Sequence, residues 1–450
     1  MAERLVVIGG NPAGMAAATN ARRGRPDLEI VAIERGSHTS YSSCGLPYVV
    51  GGAVGSIDDL VVRTPQEFRD HHRIDVRLRH EVVRIDLDAR RVGLRALDQD
   101  RTLHLGFDLL HLAMGARPNR PSLPGIDEPW VHGVQTIDDT TRLLRAVDEQ
   151  RCRRVVVVGS GYIGLELAEA FVDRGIEVTL VESGAQPLSS IDPDLGAQVA
   201  AVLRGYGVAL RLGVSVLGFE GHQALTSEGP LPADLVVLGM GVRPASELGL
   251  DSGLAAGAGG AIGVDLRQRT SAAGIYAAGD CADTYHLVSR SRVHIALGTV
   301  ANKTARVAGT NLGGGYATFP GVLGTALTRV CQFEVARTGL NQAQAREAGL
   351  ECVVGTAQAT SRADYFPGAV DVTARVIAER GTGRVLGGQV LGGDRVGKRI
   401  DTLATAITAG FTASQVVDLD LGYAPAVSTL WDPVQVAAQE AATLAARALR

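Results

Sequence analysis

The sequence predicts an α/β fold: two Rossmann-like, doubly wound βαβ units in one chain, followed by an α+β unit. Three observations predict it. A strand, a glycine turn, a helix and a second strand ending in an acid run from Leu5 to Glu34. The same order returns from Arg154 to Glu182. Beyond about residue 330 the pattern changes to strands mixed with helices and no glycine turn of that kind. The 450 residues suit three domains. With 46% hydrophobic residues the chain can build several cores. Its 56 glycines and 17 prolines stay below the roughly 25–30% of low-complexity chains, so the glycines punctuate a folded protein.

The first unit opens with the apolar run Leu5 to Ile8 and the turn Gly9-Gly10-Asn11-Pro12-Ala13-Gly14. An Ala-rich helix to about Arg23 and a strand from Leu28 to Ile33 follow, ending at Glu34. This is the plan of a dinucleotide site. Glycines let the backbone approach a pyrophosphate, the helix N-terminus faces its charge, and the acid reaches a ribose hydroxyl. Asn11 stands where the middle glycine is usual, so a plain strand–turn–helix is the alternative at this point. Next, Thr64-Pro65-Gln66-Glu67 reads as a capping box with proline in the first turn, and a short helix starts there. Alternating strands pass through Val82, Val92 and Leu103, and Phe107 to Met114 reads as a buried strand ending at Gly115.

The second unit begins with the strand Arg154 to Val158. The turn Gly159-Ser160-Gly161-Tyr162-Ile163-Gly164 is a complete GxGxxG. A helix to about Arg174 and a strand from Ile176 to Val181 lead to Glu182. Two such units imply two nucleotide sites. Ser183, Gly184 and Ala185 offer no cation to a 2′-phosphate, and Glu182 repels one, so NADH is expected before NADPH. Leu235 to Gly239 is another buried strand, and Ile275 to Asp280 is a strand closing on Gly-Asp. Strands around 351–358, 371–378 and 384–391, helical patterns at 341–348 and 396–409, and a helix from about Pro433 complete the chain.

The 44 basic and 48 acidic residues leave a net charge of −4, with no basic domain to support nucleic-acid binding. Only Lys303 and Lys398 are lysines. The five cysteines, Cys44, Cys152, Cys281, Cys331 and Cys352, form no CxxC, which suits a reducing cytoplasm without a disulfide framework. The start lacks a basic segment with a cleavage site, and no apolar run reaches the length of about 18 residues that suggests a membrane helix. His71 and His72 are adjacent and fall on different helix faces, and no HExxH occurs, so no metal site is expected.

Two further segments are twins: Leu112-Ala113-Met114-Gly115-Ala116-Arg117-Pro118 and Leu238-Gly239-Met240-Gly241-Val242-Arg243-Pro244. With the two glycine turns and Ile275 to Asp280, in this order, the chain resembles the flavin-dependent pyridine nucleotide–disulfide oxidoreductases over essentially its whole length. The resemblance implies an FAD domain of residues 1–114 and 246–325, an NAD domain of 115–245, and a dimerisation domain of 326–450. It implies cofactor contacts at Gly9, Gly10, Asn11, Pro12, Ala13, Gly14, Glu34, Arg35, Ser43, Val82, Ala113, Gly115, Arg117, Gly279 and Asp280. Further contacts are implied at Gly159, Gly161, Tyr162, Ile163, Glu182 and Gly241.

Cys44 selects the branch. Val49 stands where a CxxxxC pair needs its second cysteine, so Ser40-Tyr41-Ser42-Ser43-Cys44-Gly45-Leu46-Pro47-Tyr48 resembles the single-cysteine branch, above all the coenzyme A-disulfide reductases. Ser43 replaces the asparagine common there. A helix start lowers a thiol pKa from about 8.5 toward 3.5–7.5, and Cys44 is expected to benefit. The resemblance implies a cycle in which NADH reduces FAD, two electrons pass to Cys44 held as a mixed disulfide, and the freed thiolate attacks the next disulfide or persulfide.

Asp364-Tyr365-Phe366-Pro367-Gly368 and Tyr423-Ala424-Pro425 resemble tyrosine segments of those reductases, with Ala426 in place of a second proline. The resemblance makes Tyr365 and Tyr423 catalytic across a homodimer. It places Ser40, Arg22 and Asn302 at the substrate, Arg22 at a coenzyme A phosphate. The NADH oxidases and peroxidases of the branch, which cycle through a cysteine sulfenic acid, are the rival reading. They carry a histidine where Pro12 stands here. A non-catalytic flavoprotein sensor is a third reading.

Overall fold

The computed structural model of the chain describes residues 3–149 and 151–447, so the outer ends of the first and third expected domains lie outside it. The fold is α/β. Its first sheet has five parallel strands in the order Ile275–Ala277, Leu109–Leu112, Arg4–Ile8, Glu29–Ile33 and Ile74–Arg77. Its strands are buried on both faces. Val6, Ile8, Leu110 and Leu112 enter one core, and Leu5 and Val7 enter another with Met15, Ala18 and Phe68. Parallel strands covered on both sides read as continuous apolar runs, which is why these were visible in sequence. The last strand of this sheet returns only after the second sheet has been completed.

That second sheet repeats the plan: Ala209–Leu212, Glu177–Glu182, Arg154–Val158, Leu235–Leu238 and Val131–Gly133, all parallel. In both sheets the strand leading into the glycine turn is central, so each turn opens at the carboxyl ends of the strands, where such folds bind ligands. The antiparallel strands His80–Asp86, Arg91–Ala96 and Arg101–Gly106 carry Val82, Val92 and Leu103 as expected. The helix Pro65–His72 starts with the Thr64–Glu67 capping box.

The third unit is an antiparallel sheet in the order Ala326–Val330, Phe333–Gly339, Val385–Gly392, Asp371–Glu379 and Cys352–Thr360. The helices Val396–Thr408 and Pro433–Arg447 contribute to its core. The first hairpin of this sheet left no sequence signal. Its turn residues Cys331 and Gln332 have φ of +51° and +65°, a left-handed pair usually marked by Asn-Gly. The expected strand from Phe107 to Met114 is regular only over Leu109–Leu112.

His111 lies in that strand, fully buried, and among the described residues its ring nitrogens make no well-formed hydrogen bond, the Ala13 backbone being only a weak partner. Burial pushes its pKa down to about 4, opposed by the Ala13 backbone. The unfolded chain takes up this proton near pH 6.5, and the folded chain does so only near 4. Stability is therefore lost as pH falls through that window, by about 3 kcal/mol at its lower end. A His111→Phe variant should lose correspondingly less between pH 7 and 4, measured by urea unfolding. An unchanged pH dependence would contradict this origin.

Candidate active site

The first glycine turn is shaped by close approach. Gly9 has φ +109°, and a Cβ there would lie 2.1 Å from the carbonyl oxygen of Ala113. Ala113 is buried beside it, and Pro12, Ala13 and Gly14 open the helix Pro12–Gly24. Glu34 accepts hydrogen bonds from the backbone N–H groups of Gly10, at 2.7 Å, and Gly36, at 2.6 Å. The carboxylate is thereby fixed beside the turn with lone pairs left for a ribose hydroxyl. Val82 is buried nearby, two residues after His80, whose N–H donates to the Glu34 carbonyl. Arg35 is exposed and leans toward Glu81 at 3.9 Å.

Asn11 gains a role that the sequence did not reveal. Its Oδ1 accepts from the N–H of Tyr41 at 3.0 Å. The Ser40 N–H and the Thr39 hydroxyl both donate to the Gly10 carbonyl. The nucleotide turn and the segment leading to Cys44 are thus fastened together. Ser40 itself takes φ +50°.

In the second turn, a Cβ on Gly161 would meet nothing within 4 Å. No protein atom demands glycine there, and the open space fits an approaching pyrophosphate at the start of the helix Tyr162–Asp173. Glu182 accepts from the Ser160 N–H at 2.9 Å, the Ser160 hydroxyl at 2.7 Å and the Gly184 N–H at 2.7 Å. Burial alone would raise its pKa, but these bonds outweigh it and hold the carboxyl below its usual range. Tyr162 Oη is 3.4 Å from Ser190 Oγ, and Ile163 is exposed.

The residues around both turns therefore fit dinucleotides. Replacing Glu182 by alanine and Ser183 by arginine removes the repelling charge and adds a cation. The ratio of kcat/KM for NADPH over NADH should rise by about tenfold to a hundredfold, since a hydrogen bond to a charged group contributes about 1.5–3 kcal/mol. An unchanged ratio in steady-state assays would contradict the assignment of Glu182.

The twin segments pair with each other. Ala116–Pro118 and Val242–Pro244 are antiparallel neighbours with Arg117 opposite Arg243. Glu247 bonds Arg243 and lies 3.9 Å from Arg117, so it offsets the two like charges. Gly115 and Gly241 both take positive φ at this crossover. Gly279 begins the short turn Gly279–Cys281 after the strand Ile275–Ala277. Asp280, next to it, is half-buried. Burial pushes its carboxyl up, opposed by His294, and its oxygens find no donor among the described residues. Such an acid fits the hydroxyls of a polyol chain.

Cys44 sits in the turn Ser43–Gly45, which runs into the short helix Leu46–Val50. It is exposed, and that helix packs on Tyr162–Asp173. Desolvation by the surrounding protein raises the thiol. The carboxylates of Glu166 and Asp280 raise it further, against the Cys44 backbone and the Ser43 hydroxyl, which lower it. The expectation of a lowered thiol is corrected here. A five-residue helix supplies little dipole, and two acids face the sulfur. The same acids locate it: Asp280 belongs to the first nucleotide unit and Glu166 to the helix of the second.

Glu166 is a site residue that sequence reasoning missed. Burial raises its pKa, opposed by the hydroxyl of Thr328, which donates to it at 2.9 Å. Two glutamates, Glu166 and Glu169, in the middle of the largely apolar helix Tyr162–Asp173 were the available signal.

Arg22 needs a second correction. Its guanidinium donates to the carbonyls of His72, Arg25, Pro26 and Arg73. Four of its five N–H groups are engaged, so it ties a helix end to a loop and is not placed for a substrate phosphate. Asn302 is exposed on the helix Gly298–Leu312, with its amide donating to the Gly298 carbonyl at 3.1 Å. Tyr365 and Tyr423 are exposed, at 77% and 47%. Their loops are joined by the Ala363 N–H donating to the Pro425 carbonyl.

The nucleotide unit and the antiparallel sheet are locked through buried charge. Arg375 donates to Asp192 at 3.0 Å and to Asp194, and Gln342 donates to Asp192 from its backbone and its side chain. Among the described residues, no His, Cys, Asp or Glu group could hold a metal, and no helix is long and apolar enough to cross a membrane.

Residues 3–305 match the pyridine nucleotide-disulphide oxidoreductase family, and residues 325–433 match that family's dimerisation domain. An NADH oxidase of Methanocaldococcus jannaschii is 34% identical over 97% of this chain and 98% of its own length. A CoA-dependent NAD(P)H sulfur oxidoreductase of Pyrococcus furiosus is 35% identical over 97% of this chain and 98% of its own. A NAD-dependent persulfide reductase from A. fulgidus is 38% identical in a solved structure, with a TM-score of 0.94 over 97% of this chain and 82% of that one.

Proposed function

The chain belongs to the pyridine nucleotide-disulphide oxidoreductase family, and on that premise we propose that it reduces a coenzyme A-type disulfide or persulfide through Cys44 alone. It uses FAD and NADH and works as a cytoplasmic homodimer. Residues 1–114 with 246–325, 115–245 and 326–450 are its FAD, NAD and dimerisation domains. One observation carries the reading: Cys44 is exposed where the two nucleotide units meet, and none of the five cysteines is paired. The second sulfur must then come from the substrate.

FAD held along Gly9, Glu34 and Asp280 supplies the two-electron relay between NADH and sulfur. Glu182 and the Gly161 turn hold the NADH. The Cys44 thiolate attacks one sulfur of the substrate disulfide, forming a Cys44–thiol mixed disulfide and releasing the other sulfur as a thiolate. Two electrons then break the mixed disulfide, return the Cys44 thiolate and release the second substrate thiolate, which takes up a proton. Tyr365 and Tyr423 of one protomer donate hydrogen bonds to the departing sulfur at the other. With Arg22 engaged, a coenzyme A phosphate is met by Arg23, Arg63 and His71. Their mutual proximity is reflected at His72, which burial and then these three charges depress.

The NADH oxidase of M. jannaschii supports the rival, a cycle through sulfenic acid. Anaerobic NADH turnover with coenzyme A disulfide, polysulfide and hydrogen peroxide in parallel separates the two. Turnover on a coenzyme A disulfide or polysulfide is expected. Turnover on peroxide alone would overturn the proposal in favour of the rival.

A further inference from the structure

We infer that Arg399 is the residue that positions both tyrosine loops, which makes it a positioning residue for sulfur chemistry at the partner protomer. The inference rests on the roles proposed for Tyr365 and Tyr423.

Arg399 lies on the helix Val396–Thr408, yet only 2% of it is exposed, and it is among the largest fully buried side chains. An arginine is rarely buried so far unless its donors are matched. Here they reach two separate loops. Nε lies 3.3 Å and 3.1 Å from the two oxygens of Asp432, itself 3% exposed. Nη2 donates to the carbonyl of Ser361 at 3.0 Å.

Ser361 closes the base of the Tyr365 loop. Its N–H donates to the Val370 carbonyl, and its hydroxyl accepts from the Val370 N–H. Asp432 closes the far end of the Tyr423 loop and accepts from the Val434 N–H at the start of the helix Pro433–Arg447. Gln435, one turn on, holds the near end by donating to the carbonyls of Val417 and Leu419. Both loops are thus anchored at the base while their tips stay exposed. Around the tyrosines, Val427, Leu430 and Trp431 are exposed as well.

A planar guanidinium can bridge a carboxylate and a carbonyl together, which a single ammonium does less well. The distance between the two loop bases is therefore bridged by one side chain, which together with the Ala363–Pro425 backbone bond fixes the spacing of the two phenols. A structural anchor alone would have sufficed with an apolar residue, and the buried charge pair is costly unless its geometry matters.

The test uses the full-length holoenzyme. Arg399→Met combined with Asp432→Asn removes both buried charges and keeps the acceptor for Val434. It should leave NADH-dependent flavin reduction and the dimer unchanged and lower anaerobic coenzyme A-disulfide turnover by about a hundredfold. Added to Tyr365→Phe/Tyr423→Phe, it should cost no more than that pair alone. Arg399→Lys, which keeps the charge, should fall between parent and double variant, and it remains informative if the double variant folds poorly. If the phenylalanine pair is slow while Arg399→Lys and the Arg399/Asp432 variant run at parental rate, the inference is wrong and the tyrosine roles stand. If the phenylalanine pair itself runs at parental rate, the tyrosine roles fail, and the inference with them.

Discussion

Replacing Cys44 by serine should lower disulfide turnover by about 10⁴-fold or more, the scale of losing a nucleophile, while NADH still reduces the bound flavin. The two halves of the effect come from different parts of the chain. In the proposed cycle NADH binding and flavin reduction draw on the Gly161 turn, Glu182 and the Glu34–Gly10 arrangement, whose hydrogen bonds do not involve the Cys44 side chain. Disulfide reduction has no other cysteine to use. Cys281 and Cys331 are buried, and none of the remaining four pairs with Cys44. Serine preserves the size of the side chain but cannot form a disulfide. Stopped-flow spectroscopy would follow flavin reduction, and anaerobic thiol release would follow turnover. Loss of both together would mean that the substitution damages the flavin site and that the two half-reactions do not depend on separate parts of the chain.

The largest expected effect on stability lies at Arg375. Its guanidinium is 7% exposed and faces Asp192, 2% exposed, at 3.0 Å. Asp194, in the first turn of the helix Pro193–Gly205 that follows Asp192, adds a second carboxylate. Arg375→Leu leaves the Asp192 charge buried and uncompensated, which costs about 3–5 kcal/mol. Adding Asp192→Asn should restore most of that, because no buried charge remains and the amide oxygen still accepts from Gln342. Urea unfolding of the three proteins would measure it. A single variant as stable as the parent would show that the lock contributes little. The lock bears on the proposed function because Ser190, close to Tyr162 at the proposed NADH site, is held through Asn341 of the same unit, whose amide donates to the Ser190 carbonyl at 3.2 Å.

Much of this architecture was legible because its causes are local. The apolar runs before Gly9 and Gly159 are short parallel strands, and the acids at Glu34 and Glu182 close their neighbours within one βαβ unit. The Thr64–Glu67 capping box is a four-residue event. What escaped depends on distant partners. The helix Gly298–Leu312 is rich in Gly, Thr and Asn, poor helix formers. Its cause is packing on Pro12–Gly24, where a Cβ on Gly309 would come within 2.4 Å of the Ala17 carbonyl. Asn11 looked like a flawed glycine motif because its partner, Tyr41, is thirty residues away. The chemistry of Cys44 was misjudged for the same reason. The turn at its own position suggests a lowered thiol, whereas the burial that raises it, and then Glu166 and Asp280, reach it only through the fold. Arg22 stands at a helix end in sequence, and only the loop carrying His72 and Arg73 shows that its donors are taken.

In the proposed cycle one cysteine borrows its second sulfur from the substrate. The most direct measurement is the mass of the Cys44 peptide after the oxidised holoenzyme meets coenzyme A disulfide without oxygen or NADH. A single coenzyme A adduct on Cys44 is expected, and it should disappear when NADH is added. An unmodified Cys44 under these conditions, with sulfenic acid forming there only after peroxide, would contradict it.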